Sequence, residues 1–220
     1  MMTMGSAAAP QTTRRATMDG VAVGYNMTRS CGVSVCASQL LSTTIPGDIV
    51  IMIADCVAKV CRSNLTSVSD SSGLSFAQRM YYGPSNRIWE FYAVATAPLQ
   101  NDNITVVFDS NWEMMQVFAI TGSSYSTNLP LANSCGSEMG IFGPNTCAVA
   151  YKSSDQEFDF AIVAINDAQP CVVSDGFTGI IRTSDLEIDY RNGGSAFTCE
   201  GTGPTGIVVD GILSNVPETS

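Results

Sequence analysis

The feature that most constrains this chain is the stretch from Ile45 to Phe108, a series of apolar segments separated by turn chemistry. Pro46-Gly47-Asp48 is a turn. Ile49–Ala54 after it is an unbroken apolar run, short for a helix and the right length for a buried strand. Ser69–Gly73 forms a second turn cluster, and Ile88–Val94 is dense in bulky, β-favouring residues. Asn101-Asp102-Asn103 then opens Ile104–Phe108, rich in β-branched side chains. No segment carries the 3.6-residue period of an amphipathic helix. A sheet follows, and the rest of the chain has to complete it.

Further strands are expected at Met18–Tyr25, Gly32–Leu41, Trp112–Thr121, Cys147–Tyr151 and Glu157–Asn166, and again at Phe177–Arg182, Asp185–Tyr190, Ser195–Cys199 and Gly206–Leu213. Residues 122–147, rich in Ser, Asn, Gly and Pro, read as a long exposed connection. Residues 1–16, small and Met- and Ala-rich, read as a tail separate from a single domain over 17–220. A chain of 220 residues suits one large β-domain. The expectation is an all-β, antiparallel, disulfide-stapled β-sandwich of immunoglobulin-like or jelly-roll type.

A weak internal repeat runs through these segments. DIVIMIAD from Asp48 is echoed by DFAIVAIN from Asp159, VSD at Val68 by VSD at Val173, and WEFY at Trp89 by LEIDY at Leu186. The order is preserved while the spacing shrinks from 111 to 105 to 97 residues. The same halves pair ITVVFD…MMQVFAIT with AFTCEG…GIVVDGILS. Such a repeat leads one to expect two halves contributing equivalent strands to one two-sheet sandwich.

Composition narrows the function. The chain is 45% hydrophobic and 14% charged, so it can bury a sizeable core. Twenty acidic against ten basic residues give a net charge of −10, which disfavours nucleic acid and anionic lipid as partners. No apolar run approaches the ~20 residues of a membrane-spanning helix. With no His anywhere, Ser-His-Asp and Cys-His catalysis and His-ligated metals are excluded, and no phosphate-binding or dinucleotide fingerprint is present. No enzyme activity, cofactor or metal is therefore expected. Asp185, Glu187 and Asp189 alternate along one strand and read as a solvated face; Asp70 and Asp175 read as turn caps. Trp89, Tyr92 and Trp112 read as core residues rather than a sugar-stacking platform.

Eight Cys without a CxxC pair favour disulfides over zinc, and with them an oxidising compartment. Sequence neighbours suggest Cys56–Cys61, Cys135–Cys147 and Cys171–Cys199; Cys31 and Cys36 would pair only if the segment between them turns, since an extended strand holds them ~17 Å apart. Asn26, Asn64 and Asn103 each begin an Asn-x-Thr sequon, so glycans are possible partners. An extracellular or cell-surface location is expected.

The order of the pieces resembles a β-sandwich family of surface proteins from archaea, bacteria and their viruses. The carrying motifs are Asp19-Gly20, Pro46-Gly47-Asp48, Val68-Ser69-Asp70 with Gly73, Trp89–Ala93, and Ile104–Phe108, and the likeness spans roughly residues 18–213. It implies fold, and no catalytic residues. Sandwiches of this kind include subunits of archaeal extracellular threads and pili joined by donor-strand complementation. The resemblance implies a head-to-tail homopolymer in which a terminal segment of one subunit completes the sheet of the next. Residues 1–13, with Met1, Met2, Met4, Ala7, Ala8 and Ala9 as their apolar positions, would be the donor. A viral capsid or tail-fibre protein, a secreted carbohydrate-binding module and a hydrolase are the alternatives.

Overall fold

The computed structural model describes residues 15–32, 34–56, 64–83, 87–109, 113–124, 131–134, 146–150, 157–165, 171–173, 176–194, 196–200 and 204–214. Every regular element among them is a strand, and every strand pair is antiparallel. The first half supplies β1 (Thr17–Val21), β2 (Val23–Cys31), β3 (Ser34–Leu41), β4 (Asp48–Cys56), β5 (Leu65–Ser69), β6 (Ala77–Tyr82), β7 (Arg87–Ala95), β8 (Asp102–Phe108) and β9 (Glu113–Thr121). They bond in the order β5-β8-β3-β2-β9-β4-β7-β6, with β1 also on β9.

This nine-stranded sheet curls into a half-barrel because β2 is a poor bridge. It pairs with β3 at both ends but meets β9 only at Met27 and Met114. Two buried glutamines occupy the bend. Gln39 accepts from the Val117 amide (2.9 Å), and the Gln116 amide donates to the carbonyls of Ala22 (3.2 Å) and Val117 (2.9 Å). Side-chain amides thus satisfy backbone groups where the ladder opens. The fold-over brings β5-β8-β3 face to face with β9-β4-β7 around Leu41, Val50, Met52, Trp89, Phe108 and Val117.

The second half supplies β10 (Ser123–Ser124), β11 (Leu131–Ser134), β12 (Thr146–Ala150), β13 (Glu157–Ile165), β14 (Val172–Val173), β15 (Thr178–Arg182), β16 (Leu186–Asn192), β17 (Ala196–Glu200) and β18 (Pro204–Ser214). Its strand orders repeat those of the first. The path β18-β13-β16-β15 reproduces β9-β4-β7-β6, β12-β17-β14 reproduces β3-β8-β5, and β11 lies on β18 as β1 lies on β9. In each half most successive strands alternate between the two layers; the hairpins β2–β3, β6–β7 and β15–β16 each stay within one layer, and β10 and β11 both lie on β18. This is jelly-roll-type connectivity, present twice.

The two jelly rolls stack back to back. Ile49, Ile51, Ile53 and Phe118 meet Phe158, Phe160, Ile162 and Ile188, with the Phe118 and Phe160 rings edge to face at 5.3 Å. A third core, of Val163, Ile165, Phe197, Cys199, Ile207 and Val209, fills the second jelly roll. Four layers result, and their two middle ones are covered on both sides. That is why β4 is buried at all nine positions and reads as an unbroken apolar run.

Several sequence expectations are corrected. The halves do not share one two-sheet sandwich; each folds its own pair of layers, because the central faces of β4 and β13 are apolar enough to pack on each other. The pairing of Asp48 with Asp159 keeps faces aligned, whereas that of Trp89 with Leu186 does not: Trp89 faces the first jelly roll's core and Leu186 the central interface. The expected strand Met18–Tyr25 is broken at Ala22, whose amide bonds to the Val117 carbonyl (2.9 Å). Leu131–Ser134, expected in a connection, is a strand on β18. Ala16, assigned to the tail, is fully buried in the central core, and its carbonyl accepts from Asn192 (2.9 Å). Residues 1–14 lie outside the described residues, and with them Met1, Met2, Met4, Ala7, Ala8 and Ala9; so does Trp112.

Candidate functional site

Disulfides hold two of the hairpin and layer junctions. Cys31 and Cys36 are bridged, Cα to Cα 5.9 Å, because the chain reverses at Gly32 (φ 77°) and does not run on as one strand. Cys171 is bridged to Cys199 on β17, Cα to Cα 5.0 Å. Cys56 is disulfide-bonded and buried, but Cys61 and Cys135 and the side chain of Cys147 lie outside the described residues, and with them the pairings expected there. Of the sequon residues, Asn103 is exposed on β8 and Asn26 half-buried on β2. Asn64 is exposed; its side-chain NH₂ donates to Asp109 (2.8 Å) and its side-chain carbonyl accepts from Arg87 (2.6 Å).

Two groups of carboxylates are buried in the interior, and a third joins buried Asp48 to partly exposed Asp19. At the central interface, Arg79 of β6 lies between Glu90 of β7 and Asp210 of β18. Its guanidinium donates to both Asp210 oxygens, one at 2.6 Å, and stands 3.4 Å from Glu90. All three are essentially inaccessible. Burial first, then the Asp210 charge, holds the Glu90 carboxyl well above its usual range, with Arg79 opposing. One arginine against two carboxylates leaves room for one proton.

In the second jelly roll, Arg182 faces Glu187 (3.1 Å) and Asp189 (2.5 Å), and the Cys171 amide donates to Glu187 (2.6 Å). Both carboxylates are fully buried, which corrects the solvated-face reading: the layer β12-β17-β14 covers that side of β16. Asp185 at the turn keeps to the edge, its amide bonded to Thr183 (3.2 Å). Burial and Asp189 push Glu187 up to about 8 against the pull of the Cys171 amide and Arg182. Gly179 is glycine because a Cβ there would stand 2.8 Å from the Arg182 Nε. Beside it opens a hollow of about 330 Å³ lined by Gly179, Ile180, Ile181 and Arg182, but neither carboxylate lines it.

The third group joins two sequence motifs. Asp19 accepts from the Thr44 amide (2.6 Å) and hydroxyl (2.5 Å), which brings Asp19-Gly20 to the turn of Pro46-Gly47-Asp48. Gly20 permits the approach, since a Cβ would collide with the Ser42 carbonyl. Asp48 sits beside Asp19 at the start of β4.

Elsewhere Asp70 caps its turn as expected, accepting from the amides of Ser72 (2.8 Å) and Leu74 (2.9 Å), while Asp175 lies outside the described residues. Trp89 is buried and packs edge-on against Phe108 at 5.7 Å, and Tyr92 is half-buried in the central core, so neither is an exposed sugar platform. Among the described residues no three His, Cys, Asp or Glu side chains gather as a metal site, and no helix is long and apolar enough to cross a membrane.

The outer surface carries a feature that the sequence analysis missed. On β2 the usual alternation is inverted: Val23 (68% exposed), Tyr25 (64%) and Met27 point to solvent. Val21 extends the row on β1, and Leu40, paired with Val23, widens it on β3. Arg29 lies over the Tyr25 ring at 4.6 Å. The signal was present as the alternating Val-x-Val-x-Tyr-x-Met, but alternation does not say which face is inside. Comparison with known proteins finds no match to a family model, a curated protein or a solved structure.

Proposed function

We propose that this chain is a structural subunit of an extracellular filament, in which identical copies join head to tail. The carrying observation is the solvent-facing apolar row Val21, Val23, Tyr25, Met27 and Leu40. A contiguous exposed patch of large apolar side chains is an interaction surface. The buried charges support a static role, since Glu90, Glu187 and Asp189 are sealed from any substrate. Edge strands support controlled rather than indiscriminate association: β1, β5, β6 and β15 all carry register shifts, which blunt sideways pairing.

In this reading residues 1–13 are the donor segment. The chain emerges from the central core at Ala16, so a segment of that length reaches ~40 Å, far enough to enter a neighbouring copy. The disulfides suit a secreted polymer, and Asn103 is the sequon residue best presented for a glycan. The full-length chain should assemble into filaments visible by negative stain. A chain lacking residues 1–13, which keeps Ala16, should stay folded and monomeric. Filaments from the truncated chain would remove the segment as donor, and monomers of the full chain at every concentration would overturn the reading. A virion coat protein is the second reading, favoured by the jelly-roll connectivity; closed shells in place of threads in the same images would select it.

A further inference from the structure

We propose that Asn103 is an N-glycosylation site whose sugar chain lies across the exposed apolar row and governs whether copies can associate through it. Directly opposed residues of an antiparallel ladder share a face. Val23 on β2 stands opposite Leu40 on β3, and Leu40 stands opposite Asn103 on β8. Two residues along, Tyr25 stands opposite Ser38, and Ser38 opposite Thr105. The Ser38 and Thr105 hydroxyls bond at 2.8 Å, so both point outward with the row, while Gln39, Leu41 and Ile104 on the alternate positions are buried. Asn103 therefore lies beside the row on the same surface, two strand spacings or about 10 Å from Val23.

The three sequons differ in how they are presented. In Asn103-Ile104-Thr105 both polar side chains stand on the outer face. Asn103 is exposed, and its backbone amide is held by the Ser71 hydroxyl (2.9 Å), which fixes the strand and leaves the side chain to solvent. Asn64, by contrast, is tied to Asp109 and Arg87, and the Thr66 hydroxyl of the same sequon donates to the Val107 carbonyl (3.0 Å). Asn26 is half-buried where β2 shifts register between Tyr25 and Arg29. The surroundings of Asn103 also give the sugar a direction. On its β5 side stand the small residues Ser67 and Ser69; on its other side stand Leu40, Val23 and Tyr25. Pyranose rings carry apolar C–H faces, and only the second side offers apolar area for them to bury.

In the transfer, the Asn103 Nδ2 forms a bond to the anomeric carbon of a phosphate-activated oligosaccharide. The bond from that carbon to the phosphate oxygen breaks, the phosphate leaves with the electron pair, and the amide gives up one proton; nothing is oxidised or reduced. An attached sugar chain is bulky and hydrated. Lying over Leu40, Val23 and Tyr25, it keeps a second copy from burying them, so the chain bare at Asn103 is the form that assembles. This gating rests on the reading of the row as the contact between copies; the placement of the sugar does not.

The test compares the full chain secreted from mammalian cells that attach high-mannose glycans with the bare chain from a bacterial periplasm. Peptide mass spectrometry should find the glycan on Asn103. Nitration by tetranitromethane, at dilutions where sedimentation shows single copies, reads the cover directly. Tyr25 should react several-fold more slowly in the glycosylated chain, with the exposed Tyr81 on β6 as internal reference. Asn103→Gln from the same cells should restore the rate, and so should release of the sugar from the folded chain by peptide N-glycosidase. At higher concentration the bare chain should assemble and the glycosylated chain should not. An unmodified Asn103, or Tyr25 nitrated equally in both forms, overturns the proposal. Equal assembly by both forms overturns the gating while leaving the row as the contact. A bare chain that never assembles overturns the contact reading instead, and the nitration rates still decide where the sugar lies.

Discussion

At the scale of single residues, the buried carboxyls make stability depend on pH in a definable direction. Glu187 has its carboxyl raised from 4.5 to about 8, so the folded state holds its proton more tightly than the unfolded one. The stability this contributes is complete below about pH 4.5 and is lost as pH rises towards 8. Glu187→Gln should therefore flatten the fall between pH 5 and 8, by a few kcal/mol at most, read from urea midpoints at the two pH values. Asp70→Ala removes the acceptor for two turn amides and should cost about 1 kcal/mol in the same assay. Asp70 was legible because Ser and Gly around it mark a turn. Glu187 was not, because alternation on β16 says that one face differs from the other, and only the tertiary stacking says that both are dry.

Among the elements, β4 and β13 are the ones that the sequence displayed most openly, as apolar runs between turns. Covering on both faces makes them intolerant. Phe160→Ala would open a cavity between the jelly rolls and should cost about 3–5 kcal/mol, seen as a lowered denaturation midpoint. β2 was the least legible. Its apolar positions face solvent, and its end turns back at Gly32 without Pro, Asn or Asp to announce it, so the Cys31–Cys36 bridge could not be assigned from spacing alone. The Cys171–Cys199 bridge closes a loop with a sequence separation of 28 and ties the segment before β14 to β17. Replacing both with Ser should cost about 3 kcal/mol, and reductant should have no further effect at that site.

Taken whole, the molecule is one topology used twice, and the repeat was visible in the sequence as matching order with shrinking spacing. Its assembly was not visible, since a one-residue offset in the Trp89 and Leu186 match exchanges inner for outer faces. The Arg79–Glu90–Asp210 cluster shows what the stacking requires: an arginine from the first half clamped on a carboxylate from the second. Arg79→Met leaves those carboxylates buried without a cation and should cost about 3–5 kcal/mol. Hydrogen exchange should show the loss first along β6 and β18.

The most direct test of the building-block account is sedimentation of the native chain beside a Val23→Lys/Tyr25→Lys double variant. Both positions are mostly exposed, so folding should be preserved and the melting temperature little changed. The account predicts large, concentration-dependent assemblies from the native chain and monomers from the variant. Equal assembly by the two chains, or a native chain that stays monomeric throughout, would contradict it.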